Sequence, residues 1–469
     1  MIALREIIIG CHSGDSGKSK ILDERVALAR LLDPRKRVLV YRFNGGANSG
    51  HSTFVETPAG LVFFDLHAAP CGLVSNSDIA IGPHVALDPQ KFINEVKRAE
   101  GLFGYSGRIL ISERTGVLFG YHQALDGWRE EQAAQAIGKK IGTTKTGIGP
   151  FYEDNTRRLT RIRFGDYVSD AFPKKLEEVL KLKSLELSAA GIIGDHKSLA
   201  VYRDELLAQH DPLRRELKPY VERLEYRMQE YLENGDHILG EGAQGTLLDV
   251  DMGSGSDVTS SHVLAQMGLA SVGLPRSAFK VYSVEKIYPT RVGSGVLVTG
   301  DDAFSMEVAK RGGEKGVTTG RPRRCGYSDW VMARQTRMLH DCDGVFITRA
   351  DVVQDLEMKA CTGYLVNDLA IEEVPVDLGG VTPVYADRTY QWHLWDWPEG
   401  IGDLHDVSDP VKVHGVLKPL REDYLQRGFE GLPRDLQAFI EDHDRFVGRP
   451  TMGVSIGPAR GETILRKVA

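Results

Sequence analysis

Short apolar runs alternate along this chain with longer stretches that repeat apolar residues at helical spacing. The runs lie at residues 5–10, 38–41, 109–112, 237–240, 279–284 and 344–348, and their length and β-branched content predict buried strands. Helical spacing predicts one helix from Lys18 to Leu32 and a second that ends at Asn234-Gly235. The second helix carries an apolar face made of Leu217, Tyr220, Val221, Leu224, Met228, Tyr231 and Leu232. This alternation predicts an α/β fold, with a large, mainly parallel central sheet flanked by helices.

The pattern weakens between residues 365 and 435, where Asp, Pro, Gly and Trp are frequent. We interpret this stretch as a surface insertion. The chain has no internal repeat, no low-complexity tract and no obvious linker, so residues 1–469 are expected to form a single large domain that includes the insertion.

Composition narrows the class of protein. Of the 469 residues, 42% are hydrophobic and 26% charged, which is typical of a globular chain, and the formal charge of -7 offers no global attraction to nucleic acid or to a membrane. The five cysteines are scattered and lack CxxC spacing, which favours a reducing compartment over disulfides or zinc. With no apolar run of membrane-spanning length, the chain is expected to be soluble and cytoplasmic.

Two of the predicted strands end in glycine-rich loops. The first loop, CHSGDSGKS at residues 11–19, nearly matches the phosphate-binding Walker A pattern, with His12 where the leading glycine would stand. It predicts a P-loop-like nucleotide-binding architecture with insertions, in which backbone N–H groups, Lys18 and a helix N-terminus receive phosphate. Asp15 is unexpected there, because a carboxylate repels phosphate unless a metal compensates or the group acts as a base. An ordinary glycine-rich turn remains the alternative.

The second loop, NGGANSGHS at residues 44–52, places Asn48 and His51 after the next strand. A single histidine is more often structural than catalytic. Ligands sit beyond the strand ends of open α/β sheets, so Asp15 and His51 are expected to converge as an acid–base pair on one substrate.

Three further stretches lack regular periodicity and are interpreted as loops. They are IGTTKTGIGPFYEDNTRR at 141–158, LGEGAQGTLLDVDMG at 239–253 and GVTTGRPRRCG at 316–326. Their arginines and hydroxyls suit carboxylates or phosphates, although each loop alone could equally be solvated.

Taken together and in order, these stretches resemble the adenylosuccinate synthetase family. The matching segments are GDSGKSK at 14–20, GGANSGHS at 45–52, GTTKTGIGPFYEDN at 142–155, EGAQGTLLDVD at 241–251, TTGRPRR at 318–324, TRAD at 348–351 and SIGP at 455–458. The resemblance implies a GTP-dependent ligase that joins IMP to L-aspartate through a 6-phosphoryl intermediate, giving adenylosuccinate for AMP biosynthesis.

The resemblance also implies catalytic roles. Asp15 would remove the N1 proton of the purine and, with the Gly50 carbonyl, ligate Mg²⁺. His51 would act as the acid toward the transferred phosphoryl group. Lys18 and Gln244 complete the implied catalytic set, Lys18 by stabilising the developing charge.

Binding roles follow from the same resemblance. The IMP site would comprise Asn48, Thr144, Arg158, Gln244, Thr259 and Arg321. Arg158 would come from a second subunit, which implies a homodimer. Aspartate would be bound by Val317, Thr318, Thr319, Gly320, Arg321 and Arg323. GTP would be bound by Gly14, Ser16, Gly17, Lys18, Ser19, Lys20, Gly50, His51, Ser52, Arg323, Arg349, Asp351, Ser455 and Gly457.

Several positions depart from the family pattern. They are Ser16, Ser19, Ala47, Lys145, Thr146, Arg349 and Ile456. The groups implied in bond formation are retained, so the departures bear on which nucleotide is used. Three alternatives stay open: a paralogue acting on GMP, dGMP or another purine nucleotide, a P-loop-like NTPase or kinase, and a catalytically silent binding protein.

Overall fold

A computed structural model describes residues 3–57, 60–138, 142–291, 295–314, 323–396 and 410–468. Within these ranges strands and helices alternate. The strands are β1 (Arg5–Gly10), β2 (Val38–Arg42), β3 (His51–Thr57), β4 (Gly60–Leu66), β5 (Asp78–Ile81), β6 (Ala86–Leu87), β7 (Ile109–Ser112), β8 (Gly116–Val117), β9 (Val221–Glu222), β10 (His237–Glu241), β11 (Lys280–Lys286), β12 (Thr290–Arg291), β13 (Arg324–Cys325), β14 (Ser328–Asp329), β15 (Gly344–Thr348), β16 (Ala360–Val366), β17 (Leu369–Ile371), β18 (Thr382–Tyr385), β19 (Thr451–Ser455) and β20 (Thr463–Leu465).

The helices cover both faces of the central sheet. They are α1 (Lys18–Leu32), α2 (Pro89–Phe103), α3 (Gly120–Ile137), α4 (Ile148–Thr156), α5 (Phe164–Val168), α6 (Phe172–Leu182), α7 (Ser184–Ala189), α8 (Leu199–Leu217), α9 (Leu224–Glu233), α10 (Ala265–Ser271), α11 (Asp302–Gly312), α12 (Trp330–His340), α13 (Pro410–Arg427) and α14 (Arg434–Val447). No helix among the described residues is both long and apolar enough to span a membrane.

In the described part of the chain, the central sheet has ten strands in the order β20-β19-β15-β11-β1-β10-β2-β5-β7-β9. All neighbours pair in parallel except β20, which runs antiparallel to β19 at one edge. The predicted fold class, a mainly parallel sheet flanked by helices, is confirmed. Each of the six predicted apolar runs is a strand of this sheet.

Strand β1 shows why such runs are continuous rather than alternating. Ile7 and Ile9 pack into one core cluster with α9 and α10, and Ile8 packs into another with α1. Successive side chains of a strand point to opposite faces, so a sheet covered on both faces buries every residue. All three isoleucines are at most 1% exposed, and each such burial contributes about 1.5–3 kcal/mol.

Two predictions of local structure were wrong. The single helix through residues 217–232 is two helices, because α8 ends at Leu217 and a short 3₁₀ turn and β9 precede α9. Pro219, which lacks the N–H that a continuing helix would use, lies at this break, although Pro212 is accommodated inside α8. The loop expected over 141–158 contains α4, which Gly147 introduces in a left-handed conformation (φ 83°).

The sequence led us to expect that the segment 365–435 lies at the surface. In the structure, part of this segment is buried. Tyr390, Trp392, Leu394 and Trp395 are at most 5% exposed and pack into a core cluster with α14. The indole N–H of Trp392 donates to the Ala350 carbonyl at 3.0 Å. In the sequence these aromatic residues stand among Asp, Pro and Gly, so composition alone did not indicate that they are buried. Residues 397–409 of this segment lie outside the described ranges.

Candidate active site

The carboxyl ends of five parallel strands face one edge of the sheet, and the candidate loops follow them. The loop after β1 leads to α1, the loop after β2 leads to the β3–β4 hairpin, and the segments after β10, β15 and β19 follow on the same edge. Ligands of open α/β sheets bind at this edge, so the topology brings the predicted loops together.

The first loop packs backbone to backbone against the segment after β10. A Cβ placed on Gly10 would lie 2.4 Å from the Gln244 carbonyl oxygen, and one on Gly14 would lie 2.9 Å from the Gln244 carbonyl carbon. The Nζ of Lys18 donates to that same carbonyl at 2.8 Å. Asp15 has a φ of 53°, and Gly17 leads into α1 with a φ of 83°. Lys18 and Gln244, two predicted catalytic residues, are therefore in direct contact.

The ammonium group of Lys18 is buried, with the residue 5% exposed. Burial lowers the pKa of Lys18 to about 8, while the carboxylates of Asp15 and Glu241 act in the opposite direction. The side chain is charged at neutral pH in a site of low dielectric. Such a fixed charge is suited to an anionic ligand.

Asp15 lies in an ion network that the sequence did not reveal. Its Oδ2 accepts a hydrogen bond from the Nζ of Lys286 at 2.9 Å and pairs with the guanidinium of Arg323. The side chain is 41% exposed, so the carboxylate stands at the mouth of the site. Arg323 had been predicted to bind aspartate and GTP, and the structure places it against Asp15.

Glu314 is the buried centre of this network. Its carboxylate accepts hydrogen bonds from Lys286 at 2.9 Å, from the Tyr288 hydroxyl at 2.8 Å and from Arg323 at 3.0 Å. The Arg349 guanidinium lies 3.6 Å away. Burial raises the pKa of Glu314, but the cations, Lys286 foremost, outweigh it and hold the pKa far below its usual range. Sequence analysis missed this residue, although a glutamate just before the predicted TTGRPRR loop was visible.

His51 is paired with a second glutamate that sequence analysis assigned no role. Its Nδ1 contacts Oε1 of Glu241, whose other oxygen accepts the backbone N–H of Cys71 at 2.7 Å. Burial lowers the pKa of His51, against the opposing effect of Glu241. Burial raises the pKa of Glu241, but His51 and Arg42 reverse this and lower it. In the sequence, the signal for this partner was the carboxylate that ends the strand sequence HILGE.

Arg42 stabilises the second loop through hydrogen bonds. This residue is fully buried and donates to the carbonyls of Gly46 at 2.8 Å and His67 at 2.7 Å, and to the Ser49 hydroxyl at 2.8 Å. Ser49 in turn accepts from Nε2 of Gln244 at 3.0 Å. The second loop is thus joined to the Gln244 segment, which also contacts the first loop.

The residues predicted to bind the donor base also come together. The Nζ of Lys20 donates to the Ser455 hydroxyl and to the Gly457 carbonyl, the latter at 2.7 Å. The guanidinium of Arg421 lies 3.6 Å from Asp351 and 3.0 Å from Glu462. Burial lowers the pKa of Lys20, against the carboxylates around it. Ser19 is buried in the first turn of α1.

Two of the predicted IMP residues, Thr144 and Arg158, lie on either side of α4 in the chain. Thr144 is half-buried and shares a 2.7 Å hydrogen bond with the Thr146 hydroxyl. Arg158 is exposed with a φ of 60° and lines a surface cavity of about 280 Å³ with Arg161 and Arg163. Predictions on Val317, Thr318, Thr319, Gly320 and Arg321, and on the side chain of Ser52, fall outside what the structure describes.

Five candidate residues, besides His51 and Arg323, carry a buried polar atom that has no hydrogen-bond partner in the described part of the chain. These atoms are Ser16 Oγ, Asn48 Oδ1, Gln244 Oε1, Thr259 Oγ1 and Asp351 Oδ1. Buried polar groups are nearly always paired, because an unpaired one costs about 1–3 kcal/mol. Unpaired atoms on residues predicted to bind one set of ligands are expected when the ligands themselves supply the partners.

The donor chemistry at Asp15 fits Mg²⁺. The carboxylate is partly exposed beside a helix N-terminus, and Gly50 supplies a backbone carbonyl on the second loop. Magnesium prefers such oxygen ligands, commonly one or two carboxylates with substrate phosphates.

Comparison with known proteins gives consistent matches. The family model described as adenylosuccinate synthetase matches residues 7–394. The adenylosuccinate synthetase of Geotalea uraniireducens is 35% identical over 98% of both chains, and that of Wolinella succinogenes is 31% identical over 98% of this chain and 99% of the other.

Two solved structures share the fold. The fully ligated adenylosuccinate synthetase of Plasmodium falciparum is 26% identical, with a TM-score of 0.80 over 99% of this chain and 100% of the other. The succinoaminodeoxyadenylate synthetase of cyanophage S-2L, bound to dGMP and dATP, is 17% identical, with a TM-score of 0.56 over 100% of this chain and 97% of the other. At that identity the second match speaks for the fold alone.

Proposed function

The chain belongs to the adenylosuccinate synthetase family, a family of ligases that form a C–N bond, and we propose how its residues perform that reaction. The enzyme joins IMP to aspartate and yields adenylosuccinate, with GTP as the energy source. The observation that carries the residue assignment is the contact between Lys18 and the Gln244 carbonyl. Lys18 is surrounded by the charges of Asp15 and Glu241, so the proposed base and the carboxylate that holds the proposed acid lie in one electrostatic site.

The chemistry requires two steps. The 6-oxo group of a purine is a poor leaving group, so the γ-phosphoryl group of GTP is first transferred to O6, and the aspartate amine then displaces phosphate at C6. Removal of the N1 proton makes O6 a better nucleophile, and we assign this removal to Asp15. The carboxylate must then turn from Lys286 and Arg323 toward the purine. Glu314 continues to accept hydrogen bonds from both cations when Asp15 turns away.

His51 is assigned to the phosphoryl group. Because its Nδ1 is engaged by Glu241, the nitrogen that it offers to substrate is Nε2. An arriving phosphate places negative charge beside that nitrogen and raises the pKa of the imidazole, which allows His51 to donate a proton. Lys18 supplies fixed positive charge to the same group.

Mg²⁺ would be held by Asp15 and the Gly50 carbonyl, together with phosphate oxygens. The ion would supply charge neutralisation for the transferred phosphoryl group. Donor recognition is assigned to Asp351, whose unpaired Oδ1 can accept the N1 and N2 hydrogens of guanine. We assign IMP binding to Asn48, Thr144, Gln244, Thr259 and Arg321. The amino acid is assigned to residues 317–321 and to Arg323, whose guanidinium suits a carboxylate.

A homodimer in the cytoplasm completes the proposal. Arg158 is exposed at the end of α4, and it would reach the IMP phosphate of a second copy. The small molecules above are then the partners, without nucleic acid or membrane. The ordinary charge balance of the chain supports this assignment.

The test is a substrate matrix. Purified enzyme with Mg²⁺ and aspartate is supplied with IMP, GMP or dGMP and with GTP or ATP, while product absorbance and phosphate are followed. We expect turnover that depends on aspartate and is fastest with IMP and GTP. Preference for GMP or dGMP would assign a different acceptor, and phosphate release without aspartate would contradict the ligase assignment in favour of an NTPase.

A further inference from the structure

Three buried side chains that could each ligate a metal ion lie close together at the start of the first loop. Cys11 and His12 directly follow β1, and Glu285 lies near the end of the neighbouring strand β11. One ligand atom of each residue lies within 4.8 Å of those of the other two. The residues are 1%, 5% and 4% exposed, respectively. None of the three takes part in the proposed reaction.

Each of the three is held by a neighbour on its other side. The Nε2 of His12 is 3.1 Å from the Asp329 carbonyl, and Nδ1 is the ring nitrogen without that contact. The Oε1 of Glu285 pairs with His443 at 2.7 Å, and the Sγ of Cys11 is 3.3 Å from the Thr336 hydroxyl. Protein metal ligands are typically oriented in this way, with the second ring nitrogen of a histidine bound to a carbonyl or carboxylate.

A second observation points to a missing ligand. The Oε2 of Glu285 is buried and has no hydrogen-bond partner in the described part of the chain. The residue is more than nine-tenths buried, and its carboxylate lies beside the Cys11 thiol and His12. A buried carboxylate oxygen without a partner is costly, and a cation would satisfy it.

We propose that Cys11, His12 and Glu285 bind a zinc ion, which ties the start of the phosphate loop to β11. Sulfur, imidazole nitrogen and carboxylate oxygen are the ligands that zinc takes in proteins, and a water molecule would fill the fourth position. On binding, the Cys11 thiol releases its proton to solvent, and thiolate and carboxylate together balance the double positive charge. No oxidation or reduction is involved.

The geometry requires a modest contraction. Bond lengths of about 2.0–2.3 Å in a tetrahedron imply ligand atoms about 3.5 Å apart. The three side chains would therefore close on the ion from separations of up to 4.8 Å. The ion would fix the backbone four residues before Asp15, so it would brace the loop without touching substrate.

The first measurement is the zinc content of the full-length enzyme. Protein from cells grown with added zinc is dialysed and assayed by mass spectrometry, and we expect about one zinc per chain. The Cys11→Ser and Glu285→Gln variants should lose it. Cys361→Ser is the matched control, because Cys361 is equally buried but lies outside the cluster, and it should retain the zinc.

The second measurement is the spectrum of wild-type enzyme refolded with Co²⁺, which does not depend on any variant folding. Thiolate-to-cobalt charge transfer and intense tetrahedral bands would support the site, and their loss in Cys11→Ser would locate it. Zinc-free wild type after growth and refolding with zinc would overturn the proposal. Zinc retained in Cys11→Ser, or a cobalt spectrum without thiolate bands, would also overturn it. Aspartate-dependent turnover is scored separately, so the ligase assignment stands or falls independently.

Discussion

The carboxylate of Glu241 contacts the Nδ1 of His51, although 190 residues separate the two along the chain. The pair forms because β10, which ends at Glu241, lies next to β2, whose following loop delivers His51. In the proposed mechanism, this carboxylate leaves Nε2 of the imidazole to face substrate, and it favours the protonated ring that would donate to a phosphoryl group.

Replacing Glu241 by Gln should therefore lower turnover by about 100-fold or more, since a positioned acid contributes that much. Loss of the carboxylate also lowers the pKa of His51, so the residual activity should fall with rising pH earlier than in wild type. The measurement is a pH–rate profile under saturating substrates. Glu6→Gln is the matched control, because it breaks a buried ion pair with Arg25 near the start of β1. Equal losses in both variants would show a structural effect only.

Asp15→Asn should abolish aspartate-dependent turnover, with a loss of about 1,000-fold or more, because the amide cannot take the N1 proton. The side chain is 41% exposed, so the thermal transition should move little. Nucleotide binding, followed by calorimetry, should remain detectable. Turnover within tenfold of wild type would exclude Asp15 as the base.

The affinity for GTP should depend on pH through Lys18. Burial lowers the pKa of this ammonium group to about 8, so above that pH the free enzyme loses a charge that phosphate requires. We expect the dissociation constant for GTP to be level at neutral pH and to rise at pH values above 8. The guanidinium of the Lys18→Arg variant stays charged, so its dissociation constant for GTP should not rise above pH 8. This holds whether the variant binds GTP more tightly or more weakly than wild type. A parallel rise in both proteins would assign the effect to another group.

Glu314→Gln should raise the KM for aspartate more than the KM for IMP or GTP. The variant leaves Lys286 and Arg323 without their shared buried carboxylate, at a cost to stability of about 3–5 kcal/mol. Both cations would then hold Asp15 more tightly, and Arg323 would be misplaced for the amino acid. Glu314→Asp should restore part of the aspartate KM. If stability falls while all three KM values stay unchanged, Glu314 serves the fold alone.

Asp351→Asn should reduce the preference for GTP over ATP. Its buried Oδ1 is unpaired and accepts guanine hydrogens in our assignment, whereas an amide presents a donor as readily as an acceptor. The measurement is the ratio of kcat/KM for the two donors. Asp355→Asn, at an exposed position nearby, should leave the ratio unchanged. An unchanged ratio in Asp351→Asn would place base recognition elsewhere.

The strands were predictable because a parallel sheet buried on both faces produces continuous apolar runs. Residues 5–10 and 344–348 are strands with the predicted bounds. Helical periodicity misled at residues 217–232, because the apolar spacing continues across residues 218–223, where the structure has a 3₁₀ turn and β9 instead of helix. Local signals thus located the elements but not every break between them.

The sequence predicted which loops form the candidate site. It did not predict which side chains contact each other within that site. Glycine-rich sequence and strand order indicated which loops would meet, and Lys18 does contact Gln244. The partners of the charged groups, Glu241 for His51 and Glu314 for Arg323, depend on which strands are neighbours. That information is non-local, since β10 enters the sheet between β1 and β2 from almost 200 residues further along.

The most direct test of the phosphoryl-transfer account follows the 6-oxygen of the purine. IMP labelled with ¹⁸O at O6 is converted in the presence of GTP, Mg²⁺ and aspartate, and the released phosphate is analysed by mass spectrometry. If O6 is phosphorylated before aspartate displaces it, the label appears in phosphate in proportion to adenylosuccinate formed. Label found in water, with unlabelled phosphate, would contradict the account.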